Sequence, residues 1–139
     1  MASGRDGIGD AELLELSGWS GVPTARVLAK AVGAEAAVFV LDSNGGLGGT
    51  PYETIELLVR DGSGAWTSDG DLGPAAGGGA GWFHGHCYAY GQAADDVRKV
   101  VLALSGEVVE CEVQLEGWWI GIVRSPSPWT DGYEAVPVD

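Results

Sequence analysis

Positive charge is what this chain has least of. Only seven lysines and arginines stand against 20 aspartates and glutamates in 139 residues, a formal net charge of −13. Phosphate backbones and anionic lipid surfaces would repel such a molecule, because no counterion release favours their binding. A nucleic-acid or membrane-surface partner is therefore excluded. No apolar stretch approaches the ~20 residues of a transmembrane helix. The opening "MASGRDGIGDAELLEL" lacks the charged and apolar regions of a secretory signal, so the expected location is cytoplasmic.

Chemistry-bearing residues are also scarce. Two cysteines, Cys87 and Cys111, allow at most one disulfide, and in a cytoplasmic chain reduced, buried thiols are expected. There are only two histidines, His84 and His86. No Gly-x-Ser-x-Gly elbow occurs. "GGLGGT" lacks the lysine of a phosphate loop, and "DGSGAWTSDGD" lacks the alternation of a calcium loop. No catalytic residue and no cofactor is assigned from sequence.

What is abundant is glycine, 24 residues of it, clustered so that the chain is cut into short pieces. Hydrophobic content of 45% indicates a globular domain, and the cutting favours strands and turns. Residues 1–9 read as a loose tail, 10–124 as a single β-rich domain, and 125–139 as an extended arm whose three prolines suit no central strand. Asp10 is placed to cap a helix over "AELLEL" that Gly18 stops. Pro23 and the apolar face Val27, Leu28, Ala31 and Val32 predict a second helix ending at Gly33. Strands follow at "AAVFVLD", "ETIELLVR" and "AWTSD". Segments 82–90, 97–104, 107–115 and 117–124 then read as an antiparallel meander. The expected fold is mainly β, an antiparallel sandwich or small barrel with two short N-terminal helices.

"GWFHGHCYAYG", residues 81–91, is the most unusual stretch. Read as one strand, it places Phe83, Gly85, Cys87 and Ala89 on an inner face and Trp82, His84, His86, Tyr88 and Tyr90 on the outer one. With 107–115 as its partner, Val109, Cys111, Val113 and Leu115 point inward, so both cysteines face one core. Two imidazoles at i and i+2 on one face are half of a metal site. The spacing from Gly78 to His84 and His86 resembles the first cupin motif. The glutamate that motif requires is missing, and so is any third histidine, so no metal is expected.

The pattern "YAYGQA…V…VVLAL-SGEVVECEV…GWWIGIV" is similar to a C-terminal portion found in small, mostly uncharacterised β-sandwich proteins of actinobacterial type. The resemblance covers about a quarter of the chain. It implies a sandwich and transfers no functional residue.

Six tryptophans with strong acidity point to a non-catalytic protein-interaction module: an accessory, inhibitor, immunity-type or assembly subunit. Its partner is another protein, presenting a basic surface, or a second copy of the chain. The expected contact residues are Trp82, His84, His86, Tyr88, Tyr90, Trp118, Trp129 and Tyr133. Two alternatives share these residues. One is a sandwich that stacks a small ligand or sugar on Trp82, Tyr88, Tyr90 and Trp118 or Trp119; the other is a metal-dependent enzyme built on His84 and His86.

Overall fold

The computed structural model describes residues 8–43, 53–75, 78–125 and 132–138. The described chain is mainly β, with three antiparallel sheets and one short α-helix. The first sheet is a simple meander of β1 (Arg26–Val32), β2 (Ala36–Asp42), β3 (Glu53–Arg60) and β4 (Trp66–Pro74). The second pairs β5 (Gly78–Phe83) with β6 (His86–Gln92) and β6 with β9 (Trp118–Arg124). The third has the order β10-β7-β8, from Glu134–Val138, Lys99–Leu104 and Glu107–Glu112.

Three apolar cores show how these pieces stack. The helix α1 (Asp10–Ser17) lays Leu13 on one face of the first sheet, against Phe39, Leu41 and Leu58. The opposite face presents Leu28, Val38, Val40, Ile55 and Leu57 to Tyr88, Tyr90, Trp118 and Ile120 of the second sheet. The other side of that second sheet carries Cys87, Ala89, Trp119 and Val123, which meet Val100, Leu102, Leu104 and Cys111 of the third. The order of layers is thus helix, first sheet, second sheet, third sheet. Both faces of the middle sheet are interior.

α1 forms where expected, with two differences in detail. Its N-cap is Gly9 rather than Asp10, with no side-chain cap, and Asp10 instead bonds the Lys30 ammonium at 3.0 Å. Gly18 stops it in the left-handed region at φ 90°, where an L side chain would be strained.

The second expected helix does not form. Residues 26–32 are β1, hydrogen-bonded to β2. Val27, Leu28 and Ala29 are consecutive and all buried. Val27 joins the helix-side core, while Leu28 and Ala29 join the inter-sheet core across an irregularity in register between Val27 and Ala29. A short helix would bury one stripe, whereas a strand here fills two cores. Tertiary packing overrides the local pattern.

The stretch 82–90 is not one strand but most of a hairpin. His84 and Gly85 occupy its two-residue turn at φ 48° and 74°, the conformation that matches strand twist, and Phe83 pairs with His86. Parity is therefore broken between Trp82 and Tyr88. Ser105 and Gly106 make the same kind of turn between β7 and β8.

The expected meander of the last four segments also fails. β9 leaves the third sheet through a single 3₁₀ turn at Leu115–Gly117, with Glu116 and Gly117 both at positive φ, and pairs with β6. Its residues explain the crossover. Trp118 and Ile120 are apolar on one side, Trp119 and Val123 on the other, so β9 belongs between two layers. Residues 134–138, read from sequence as part of an arm, pair with β7 as an edge strand in which Pro137 is tolerated.

Glycines set how closely these layers approach. A Cβ on Gly81 would stand 2.5 Å from the Tyr88 hydroxyl, and one on Gly79 2.7 Å from that of Tyr90, so both rings lie across β5 where it has no side chains. At Gly121 a Cβ would meet Cys111 Sγ and Leu102 Cδ2, both at 2.7 Å. Gly121→Ala is therefore expected to lower unfolding free energy by about 1–3 kcal/mol through overpacking. Denaturant melts would read this directly. An unchanged midpoint would mean that the second and third sheets do not touch there.

Candidate interaction surface

The sequence-predicted contact residues part company in three dimensions. Tyr88 and Tyr90 are buried against the first sheet, their rings stacked at 6.2 Å, and Phe83 meets Tyr88 edge-on at 5.8 Å. Burial pushes the Tyr88 phenol up to about 12, and the Tyr90 phenol is raised in the same way. Trp118 is wholly buried in the same core. His86 is buried too, its Nδ1 paired with the carbonyl oxygen of His84 at 2.8 Å, while His84 is exposed on the hairpin turn.

Trp82 is 38% exposed and donates its indole N–H to the Ser125 carbonyl at 2.9 Å; Tyr133 is 37% exposed. Trp129 lies outside the described residues. The expectation of a single outward aromatic face is thus corrected. The turn at His84-Gly85 separates Trp82 from the tyrosines, and the tyrosines face a sheet that was not assigned opposite them. The histidines do not share a strand face either. Among the described residues no group of three His, Cys, Asp or Glu side chains is placed to hold a metal.

One face is open instead, the outside of the third sheet. Val100, Leu102, Leu104 and Cys111 point inward, so alternation turns Lys99, Val101, Ala103, Val108, Glu110, Glu112, Glu134, Val136 and Val138 outward. Register sets them in three cross-strand rows: Val136 beside Val101 beside Glu110, Glu134 beside Ala103 beside Val108, and Val138 beside Lys99 beside Glu112. Val108 is 68% exposed, Val136 47% and Val138 39%. A solvated antiparallel face is normally polar, yet here a valine stripe crosses all three strands between carboxylates.

The carboxylates keep a net negative charge. Lys99 is tied to Glu110 at 3.2 Å, which leaves Glu112 and Glu134 on the same face without an ion-pair partner among the described residues. Elsewhere positive charge is consumed in the same manner. Arg26 is shared between Asp42 and Glu116, Lys30 is held by Asp10, Arg124 by Glu35, and Arg60 lies over the Trp66 ring at 5.5 Å.

Several strand edges are blunted against pairing. β4 has two shifts of register and glycines at positive φ, Pro137 in β10 lacks an N–H, and the Gln114 amide occupies both the N–H and the carbonyl of Lys30 on β1, at 3.0 and 3.2 Å.

Sequence reading missed Val101, Val108, Val136 and Val138. The doublets Val100-Val101 and Val108-Val109 were the available signal, since apolar residues of both parities mean two apolar faces. The prolines of the tail argue against a strand there and so hide Val136 and Val138.

No protein-family model, no curated protein and no solved structure matches this chain.

Three buried groups give solution tests of this arrangement. Cys87 and Cys111 are free, buried and in one core, and burial pushes the Cys111 thiol up to about 11. Iodoacetamide should label neither in the native reduced protein and both after unfolding.

Glu56 is buried on the helix side of the first sheet, beside Phe39 and Asp71, with Thr54 Oγ1 donating to Oε2 at 2.9 Å. Burial raises its pKa above the ordinary 4.5 despite that bond, the Asp71 charge adding to the rise. A raised acid pKa favours the folded state when protonated, so this contribution is lost as pH rises through the folded value. Glu56→Gln should therefore be the more stable protein at pH 7, and its advantage should shrink as pH falls toward 4.5. Paired melts across that range check the sign.

Proposed function

We propose that this chain is a non-catalytic interaction module, an accessory, inhibitor, immunity-type or assembly subunit, that binds a basic protein through the outer face of its third sheet. The observation that carries this reading is the valine stripe of Val101, Val108, Val136 and Val138, left in water and flanked by Glu112 and Glu134. Apolar area supplies the binding energy and the carboxylates select the sign of the partner. The net charge of −13 adds long-range steering toward a basic surface.

A stacking site for a sugar or small ligand loses its platforms, because Tyr88, Tyr90 and Trp118 are committed to the core. The histidine-centred metal reading loses its geometry at the hairpin turn. The module is taken to act in the cytoplasm. No helix of the described residues is long and apolar enough to cross a membrane.

The test compares tagged wild-type chain with a Val108→Lys/Val136→Lys variant, each purified from the native host. The expected result is one stoichiometric protein with a basic surface, retained by wild type and lost from the variant. It should also be lost at about 0.5 M salt, where screening acts within roughly 4 Å. Circular dichroism should show both chains equally folded, since both positions are exposed. A partner that binds the variant as well as wild type, or one that is acidic, would overturn the assignment.

A further inference from the structure

The three sheets each contribute an end strand to one groove. β1, β8 and β9 are the last strands of their sheets, and together they line a cleft of about 340 Å³. Its apolar lining is half-buried: Ala31 and Val32 from β1, Val109 from β8 and Ile122 from β9. The one cation in the lining, Lys30, is already held by Asp10 and by the Ile8 carbonyl. The β8 wall adds Glu110 and Glu112.

That wall is a strand edge without the devices that blunt β1, β4 and β10. β8 has one strand neighbour, β7, in a register without shifts, and it contains neither proline nor glycine. The direction of its backbone groups follows from the residue just beyond it. Val113 donates its N–H to the Arg98 carbonyl, so the hydrogen-bonded pairs fall at Val100–Cys111, Leu102–Val109 and Leu104–Glu107. The N–H and C=O groups of Val108, Glu110 and Glu112 therefore point away from β7, and all three residues are exposed. No described strand pairs with them.

We infer that the basic partner adds an extended segment to the third sheet as a strand antiparallel to β8. Main-chain bonds to Val108, Glu110 and Glu112 hold the segment, and its alternate side chains read two different surroundings. Residues opposite Glu112 and Glu110 lie on the outer face and are lysine or arginine; the one opposite Val108 is apolar and lengthens the valine stripe. Residues opposite Cys111 and Val109 turn inward and are small and apolar, covering Ala31, Val32 and Ile122 in the groove. This inference rests on the interaction reading above and names how the partner joins the sheet.

Charge decides between the partner and a second copy of the chain. Two β8 strands paired about Glu110 would set Glu110 against Glu110 and leave the other carboxylates close by, and like charges directly opposite are destabilising. Lys99 offsets only Glu110, so the edge stays acidic. A basic strand turns the same residues into favourable cross-strand pairs.

The experiment uses the ¹⁵N-labelled full chain and acetyl-Lys-Val-Lys-Val-Val-amide, whose first, third and fifth residues would face Glu112, Glu110 and Val108. The peptide should shift the amides of Val108, Glu110 and Glu112 and slow their hydrogen exchange. N-methylation of its third and fifth residues removes the N–H groups aimed at β8 and should weaken binding at least about tenfold. N-methylation of the second and fourth, whose N–H groups point away, should leave affinity within about twofold. Replacing both lysines by glutamate should also weaken binding about tenfold or more at low salt.

Equal losses from the two N-methylation patterns, equal binding of the acidic peptide, or shifts that avoid β8 would each sink the inference. So would concentration-dependent protection of the same amides without peptide, which would make the occupant a second copy. The native partner separates this inference from the valine-stripe reading, using Glu110→Pro, which removes only an N–H turned away from β7, and Val136→Lys on the far strand. Release by Val136→Lys but not by Glu110→Pro keeps the stripe and defeats strand addition. Release by Glu110→Pro alone keeps strand addition and defeats the stripe. The peptide series uses the unaltered chain, so it decides the matter even where Glu110→Pro does not fold.

Discussion

Burial of the middle sheet on both faces is the constraint from which the rest of the structure follows. β6 and β9 have no solvent side, so Tyr88 and Tyr90 must find a core in one direction while Cys87 and Ala89 find another. Large side chains fill the gap toward the first sheet. Toward the third sheet, the absence of a side chain at Gly121 lets Leu102 and Cys111 approach closely. The glycines of β5 serve the same end by letting the tyrosine rings lie flat over the backbone. A chain so rich in glycine still folds because its glycines are distributed between turns and these close approaches.

A polar seam ties the layers at one end. Arg26 at the start of β1 is held by Asp42, which is fully buried at the end of β2, and by Glu116 in the turn before β9. The guanidinium thus bridges the first and second sheets. Glu53 lies in the same field, its carboxyl held above the ordinary range chiefly by burial, with the Trp118 indole N–H acting in the opposite direction. That N–H has no hydrogen bond of ordinary geometry among the described residues. The Arg26–Glu116 part of the seam is half exposed and contributes little net stability.

Charge and surface shape then act together. The basic side chains are mostly spent inside the molecule on ion pairs, which leaves the carboxylates to define its field. Bulges, a proline and the Gln114 amide protect strand edges, so the third sheet's outer valines are the large apolar surface least accounted for by the fold. In the proposed binding, steering by charge and capture by an apolar stripe are complementary. The first works at a distance and fades with salt, and the second works only on contact.

Local chemistry was readable where a residue's own neighbours decide its conformation. β2 and β3 begin and end where "AAVFVLD" and "ETIELLVR" do, Gly18 stops the helix, and the turn at Ser105-Gly106 sits where "SGEV" placed it. The burial of both cysteines in one core followed from the apolar positions around them, although β6 and β8 never pair. The acidity needed no structure at all.

What required the tertiary structure was every choice that depends on a second surface. Residues 26–32 carry a pattern that suits a helix in isolation, and only two cores waiting on either side make them a strand. Alternation in "GWFHGHCYAYG" could not reveal that His84 and Gly85 turn the chain, because a two-residue turn leaves the sequence period almost unbroken. Nor could it say that the tyrosines face a sheet, since exposure belongs to the layer opposite rather than to the strand itself. The valines of β7, β8 and β10 show the same dependence in reverse. Their composition suits a buried strand, and they meet water because no described layer lies beyond them.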